Sequence, residues 1–190
     1  MRTVSKFLLW GFSIALIAQL AGASSTLAQK PSKPPKVKVG EIAPRPEDVS
    51  TLDGIISAYY ETITGPAGQP REWARDRTLY IPEIKLISIE VHDGKALAKV
   101  MSHQAYVDEA DASLVKDGFF EYEIHRVTRR FGNMAQVFST YEARTTRDGP
   151  VISRGINGIE LYYDGARWWI TAAMWEEERP DNPIPKEFLP

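Results

Sequence analysis

The sequence has no cysteine. That excludes a lipidated N-terminal cysteine, a disulfide framework and a thiol nucleophile, so a hydrophobic core must hold the fold together. Histidine is scarce: His92, His103 and His125 are the three in 190 residues. Nothing in their spacing resembles a ligand set, and no metal site is expected. There is no Gly-x-Ser-x-Gly elbow and no phosphate-cradling loop, which removes serine-hydrolase and nucleotide-binding readings; no cofactor is expected. Positive charge is not in excess either. The 23 Lys and Arg stand against 25 Asp and Glu, a formal charge of -2, which makes a nucleic-acid partner a poor expectation.

The one long apolar run is at the N-terminus. Arg2 and Lys6 precede Phe7 to Ala23, and Thr26-Leu27-Ala28 puts small residues at the -3 and -1 positions of a cleavage site. Residues 1–28 therefore read as a secretory signal peptide, with the mature protein periplasmic or secreted and not stably inserted in a membrane. An uncleaved anchor is the competing reading, because the run approaches the ~17 residues that span a bilayer; Gln19, the two glycines and the Ser/Ala-rich exit favour cleavage. Cleavage removes two of the 23 basic residues against 25 acids and leaves a formal charge of -4. Residues 29–47, with Lys30-Pro31-Ser32-Lys33-Pro34-Pro35-Lys36, read as a Lys/Pro-rich linker too poor in apolar residues to order itself. One domain, residues 48–190, follows.

Ser50 with Asp53 resembles a capping box, and Leu52, Ile55, Ile56, Tyr59, Tyr60 and Ile63 recur at helical spacing, predicting a helix over Thr51–Thr64. The loop Gly65-Pro66-Ala67-Gly68-Gln69-Pro70 ends it. Trp73, Arg77 and Tyr80 mark a shorter helix ahead of Pro82, Ile84–Val91 alternates as a strand up to His92-Asp93-Gly94, and Ser102 caps a third helix that Gly118 stops. Four long strands complete the chain, about Phe119–Phe131, Asn133–Arg147, Ile152–Tyr163 and Ala166–Glu177, joined by short glycine turns that demand antiparallel neighbours. In the first of them the apolar phase changes from Phe120, Tyr122 and Ile124 to Val127 and Phe131, which predicts a bulge near His125. A two-residue Asp164-Gly165 loop would pair Tyr163 with Ala166, Leu161 with Trp168, Ile159 with Ile170, Asn157 with Ala172 and Gly155 with Met174. Asn157 is then the polar intruder on an apolar face, and Trp169 and Trp175 stand among charges on the opposite one.

Jointly, Ala58-Tyr59-Tyr60, Gly65-Pro66-Ala67-Gly68, Trp73 with Leu79 and Pro82, Gly118-Phe119-Phe120-Glu121, Phe131-Gly132-Asn133-Met134-Ala135, Ser139-Thr140-Tyr141-Glu142, Arg154-Gly155-Ile156-Asn157 and Arg167-Trp168-Trp169-Ile170 resemble the nuclear transport factor 2-like superfamily, in its SnoaL-like branch. The resemblance implies an α+β fold: a cone-shaped, cystatin-like roll in which a strongly curved antiparallel sheet packs against three helices. It also implies a pocket inside the cone and a homodimer through the outer sheet face, where Trp169 and Trp175 are expected. It does not imply one chemistry, because the superfamily mixes isomerases, dehydratases and cyclases with domains that only bind.

Ketosteroid-isomerase-like members use a pocket carboxylate, typically Asp, as general base, and none of the five expected strands contains an Asp. Glu121, Glu123, Glu142 and Glu160 remain as carboxylates, and His125, beside the bulge, is the candidate catalytic acid or base. Tyr60, Trp73, Tyr141 and Asn157 are the candidate ligand-binding residues. Arg71, Arg75 and Arg77 either face an anionic ligand at the pocket mouth or pair with Glu72 and Asp76. Three functions are expected to compete: binding of a small apolar molecule, an isomerase, dehydratase or cyclase using His125 or a strand Glu, and a pure interaction module.

Overall fold

The computed structural model describes residues 36–190, so the expected signal peptide and most of the expected linker lie outside the described residues. Six strands form one sheet in the order β2-β1-β6-β5-β4-β3: β1 Tyr80–His92, β2 Lys95–Met101, β3 Phe120–Phe131, β4 Met134–Arg144, β5 Ser153–Tyr163 and β6 Trp168–Glu177. All neighbours are antiparallel except β1 and β6, which run parallel. The helices are α1 Pro46–Val49, α2 Leu52–Glu61, α3 Trp73–Arg77 and α4 His103–Asp117, and the chain ends in a 3-10 turn at Lys186–Phe188.

Strand β2 is the element the sequence hides. Asp93 and Gly94 both take positive φ, 51° and 74°, which builds a two-residue hairpin between β1 and β2. Six of the seven β2 residues are exposed, so no buried alternation marks it, and Lys95 and Lys99 are the charges expected on a sheet edge.

Helix α2 starts one residue later than the capping box suggests. Thr51, not Ser50, accepts the Gly54 amide at 2.9 Å, while Ser50 Oγ donates back to the Pro46 carbonyl and closes α1. Ile55 and Ile56 are fully buried, with Tyr59 and Tyr60 beside them on the sheet-facing side. Ser102 caps α4 and Gly118 ends it with φ 76°, as the sequence predicts. The end of the Lys/Pro-rich stretch is docked rather than free: the Lys36 and Val37 amides donate to the Asp108 carboxylate, and Val37 and Val39 pack on a cluster of Ile63, Trp73 and Val107.

The inward face of the sheet decides where the site lies. On β4, Ala135, Val137, Ser139, Tyr141 and Ala143 are buried. Their partners on β3 are Arg130, Thr128, Arg126, Glu123 and Glu121, and the expected bulge falls between Glu123 and His125. It restores the phase so that Glu121, Glu123 and Arg126 face inward and His125, opposite Thr140, faces outward.

The last hairpin departs from its predicted register. Asp164 Oδ1 accepts the amides of both Ala166 and Arg167, both at 2.8 Å, and the Asp164 amide donates to the Arg167 carbonyl, so the turn contains four residues and pairs Tyr163 with Trp168. A second irregularity follows, because Leu161 pairs with Ile170 but Glu160 pairs with Ala172. Thr171 is the extra residue. Beyond it Ala173, Trp175 and Glu177 turn inward, which corrects the expectation that Trp175 lies on the outer face. An aspartate that caps its own turn overrides the Asp-Gly hairpin signal.

Candidate functional site

The inner cavity lies between the helices and the concave face of the sheet, with a volume of about 140 Å³. Its walls are aromatic: Tyr59 from α2, Tyr106 from α4, Phe119, Tyr141 from β4 and Trp175 from β6. Tyr106 and Trp175 meet edge to face with centroids 5.9 Å apart. Four polar side chains complete it, Glu121, Asn157, Ser153 and Glu177, and among the described residues no Lys, Arg or His lines it.

Glu121 is 8% exposed. Asn157 Nδ2 donates to its Oε1 at 3.2 Å, and Oε2 takes no hydrogen bond among the described residues. Burial, with a smaller push from the Glu177 charge, raises the carboxyl to about 7, against the opposing bond from Asn157. Glu123, two residues on, has the same side chain and the opposite environment. Arg126 grips both its oxygens at 2.7 and 2.5 Å and continues to Asp53 at the surface. Glu123 is thus locked to a guanidinium, whereas Glu121 has a single amide donor.

A chain of hydrogen bonds holds the site. Asn157 Nδ2 donates to Tyr60 Oη at 3.0 Å; Tyr60 and Ser139 are 2.6 Å apart, and Ser139 donates to Glu123 at 2.5 Å. With the Ser139 proton committed to Glu123, Tyr60 donates to Ser139. Tyr60 thus stands one step behind the cavity, orienting the amide that orients Glu121. Burial lifts the phenols of Tyr59 and Tyr141 well above their ordinary range, so both remain neutral O–H groups. Tyr141 is 4% exposed and its hydroxyl makes no hydrogen bond among the described residues. It is held beside Gly155, where a Cβ would lie 2.6 Å from Tyr141 Oη.

Of the residues singled out in the sequence, Tyr141 and Asn157 line the cavity. Trp73 lies behind Tyr106, edge to face at 5.9 Å, and donates Nε1 to Asp111 at 2.6 Å. His125 is on the other side of the sheet, because the bulge aims it outward; it does not reach the cavity. The arginines belong to the scaffold. Arg71 donates to the carbonyls of Gly65, Gln69 and Leu114, Arg75 pairs with Asp48, Glu61 and Glu72, and Arg77 donates to the carbonyls of Tyr80 and Ile81. Glu142 pairs with Arg144, and Glu160 accepts from Gln136, both on the outer face.

Sequence reasoning weighed Glu121 no higher than its three rivals and passed over Tyr106, Trp175 and Glu177 as pocket residues. A signal was present for the first. Glu123 and Glu142 have an Arg two or three residues on, and Glu121 has no basic neighbour on its own strand face before Arg126, which Glu123 takes.

A second, larger concavity of about 360 Å³ lies on the convex face, lined by Ile87, Phe138, Ile156 and Met174 and roofed by the tail at Pro183 and Ile184. The tail is anchored by the Ile184 amide on Glu178, by Thr140 Oγ1 on the Phe188 carbonyl and by Phe188 stacked on Phe138 at 5.3 Å. Trp169 is on this face, covered by the Arg167 guanidinium 3.7 Å from its ring and held by Asp164. Among the described residues no group of three or more His, Asp or Glu side chains is placed to hold a metal ion.

No protein-family model and no curated protein matches the sequence. Solved structures do resemble the fold. A protein of unknown function with a cystatin-like fold from Nostoc punctiforme superposes with a TM-score of 0.52 and 4% identity, over 68% of this chain and 90% of that one. The beta subunit of a putative aromatic-ring-hydroxylating dioxygenase from Novosphingobium aromaticivorans gives 0.50 and 14% identity, over 70% and 94%. An NTF-2 like protein of unknown function from Silicibacter pomeroyi gives 0.43 and 13%, over 67% and 92%. At these identities the likeness is one of fold and says nothing of chemistry. The chain thus has an α+β, cystatin-like fold.

Proposed function

We propose that the protein binds a small molecule in the inner cavity and exchanges a proton with it through Glu121. The observation that supports this most is the state of that carboxyl: buried against aromatic walls, raised to about 7, tethered through one oxygen by Asn157 and open at the other. A general acid or base is most effective when its pKa lies near the working pH. Tyr141, with its free hydroxyl, is the neutral donor suited to stabilise charge that develops on the ligand. This favours the isomerase, dehydratase or cyclase class over passive binding of a wholly apolar molecule, with Glu121 in place of His125.

Export rests on the signal-peptide reading of residues 1–28, and a homodimer through the outer face is supported by Phe131, Met134 and Met174, all exposed there. Native mass spectrometry of protein from an extracellular fraction, sprayed under gentle and then denaturing conditions, tests the binding reading. The expected result is a small molecule released from the wild type and depleted in Glu121→Gln. An empty cavity in protein from every fraction, with no response of Trp175 fluorescence to added small molecules, contradicts it.

A further inference from the structure

Among the described residues the inner cavity presents two carboxylates and no counter-cation. Glu121 sits at its base and Glu177, which is exposed, at its mouth. The groups facing Glu121 come from every element around it: Tyr59 and Tyr60 from α2, Tyr106 from α4, Glu123 on its own strand, Tyr141 from β4, Asn157 from β5 and Glu177 from β6. Among the described residues the cation nearest this network, Arg126, is spent on Glu123 and Asp53. Elsewhere in the described domain, buried acids are compensated. Asp48 has Arg75 at 2.7 Å, and Asp76 has His103 at 2.7 Å with hydroxyls from Thr62 and Tyr80.

The walls point the same way. Aromatic faces are electron-rich, and Tyr59, Tyr106, Tyr141 and Trp175 surround the space in front of Glu121. Aromatic rings around a dry site attract organic cations, more strongly when the cation is desolvated. Tyr141 offers a second, independent sign of a ligand, as a side chain more than nine-tenths buried, aimed into the cavity, with an unpartnered hydroxyl.

Resting on the reading of the inner cavity as the ligand site, we infer that its ligand is a small organic cation, an alkyl- or arylammonium, held by Glu121 and the aromatic walls. The cation supplies the charge the cavity lacks, and its apolar substituents fill the aromatic space. Glu177 at the mouth attracts it without being buried by it. A bound cation favours the ionised form of Glu121, so binding releases a proton wherever Glu121 is protonated beforehand. Affinity then falls about tenfold per pH unit below about 7 and levels off above it.

Calorimetric titration of the whole protein at pH 8 with tetramethylammonium chloride, against tert-butanol as a neutral molecule of similar shape, tests this, with sodium chloride matched in both cells. Proton NMR of the Trp175 indole reports whether either probe enters the cavity. The inference expects the cation to bind at least tenfold more tightly than the alcohol. Glu121→Gln, which keeps the acceptor for Asn157, should lose at least tenfold, and Glu177→Gln two- to threefold. Equal binding of the two probes, or cation binding unchanged by Glu121→Gln in a protein with wild-type chemical shifts elsewhere, overturns the inference while leaving the cavity as the ligand site. If neither probe shifts the Trp175 signal, the cavity reading and the inference both fail.

Discussion

Asn157 Nδ2 stands 3.2 Å from Glu121 Oε1, and this is the hydrogen bond that the described domain gives that carboxylate. The same nitrogen reaches Tyr60 Oη at 3.0 Å, so both amide hydrogens are committed. Asn157→Ala removes both bonds and leaves Glu121 and Tyr60 buried without that partner. The variant should lose about 1–3 kcal/mol in urea denaturation. Its Glu121 should also titrate above the wild-type value, because the bond from Asn157 opposes the rise. A shift downwards in carboxyl NMR would contradict the assignment.

Stability should depend on pH through Glu121 with a definite sign. Its folded pKa is raised from 4.5 to about 7, so the folded chain holds the proton more tightly than the unfolded one. The stabilising contribution is fully present below about 4.5 and is lost as pH rises through about 7. Glu121→Gln lacks this dependence. Relative to the wild type, the variant should gain on the order of 3 kcal/mol between pH 4.5 and 7.5, read as a diverging pair of urea midpoints. Parallel midpoints across that range would show that Glu121 is not perturbed.

Gly155→Ala tests the geometry of the cavity wall. The added Cβ would meet the Glu176 carbonyl at 2.4 Å and Tyr141 Oη at 2.6 Å, so strand β6 or the Tyr141 ring must move. Overpacking of this kind costs about 1–3 kcal/mol. The Tyr141 ring signals should shift in the same variant. A neutral effect on both would mean that Tyr141 is not held where the structure puts it.

The helical layer has its own polar anchor, separate from the cavity. Asp76 is fully buried and accepts from Thr62 Oγ1 and Tyr80 Oη, each at 3.0 Å, with His103 Nε2 at 2.7 Å. Asp76→Ala leaves the Thr62 and Tyr80 hydroxyls and the His103 ring buried without this partner, at about 1–3 kcal/mol for each stranded group. Thermal denaturation should show a loss several times that of Asp53→Ala, whose carboxylate is exposed.

Much of the cone was legible because helices and long antiparallel strands write their periods into the sequence. The α4 caps, Ser102 and Gly118, and the bulge near His125 were all readable locally. What escaped depends on contacts distant in sequence. Strand β2 is an edge with no buried face, so its pattern is silent. The β5–β6 register turned on Asp164 capping its own turn and on one extra residue at Thr171, and a slip of one position moved Trp175 from the outside to the inside. The placement of His125 escaped for a related reason. A bulge can aim a side chain to either face, and only the pairing with Thr140 shows that His125 points away from the cavity. Glu121 and Glu123 are alike in sequence and are told apart by which of them Arg126 reaches.

The protonation state of Glu121 is the most direct test. Carbon-13 NMR of the glutamate side-chain carboxyls, assigned by comparison with Glu121→Gln, should show one buried glutamate titrating near 7, well separated from the exposed glutamates. Titration of Glu121 together with the exposed glutamates, near 4 to 5, would contradict the proposal that this carboxyl is the proton-exchanging group of the site.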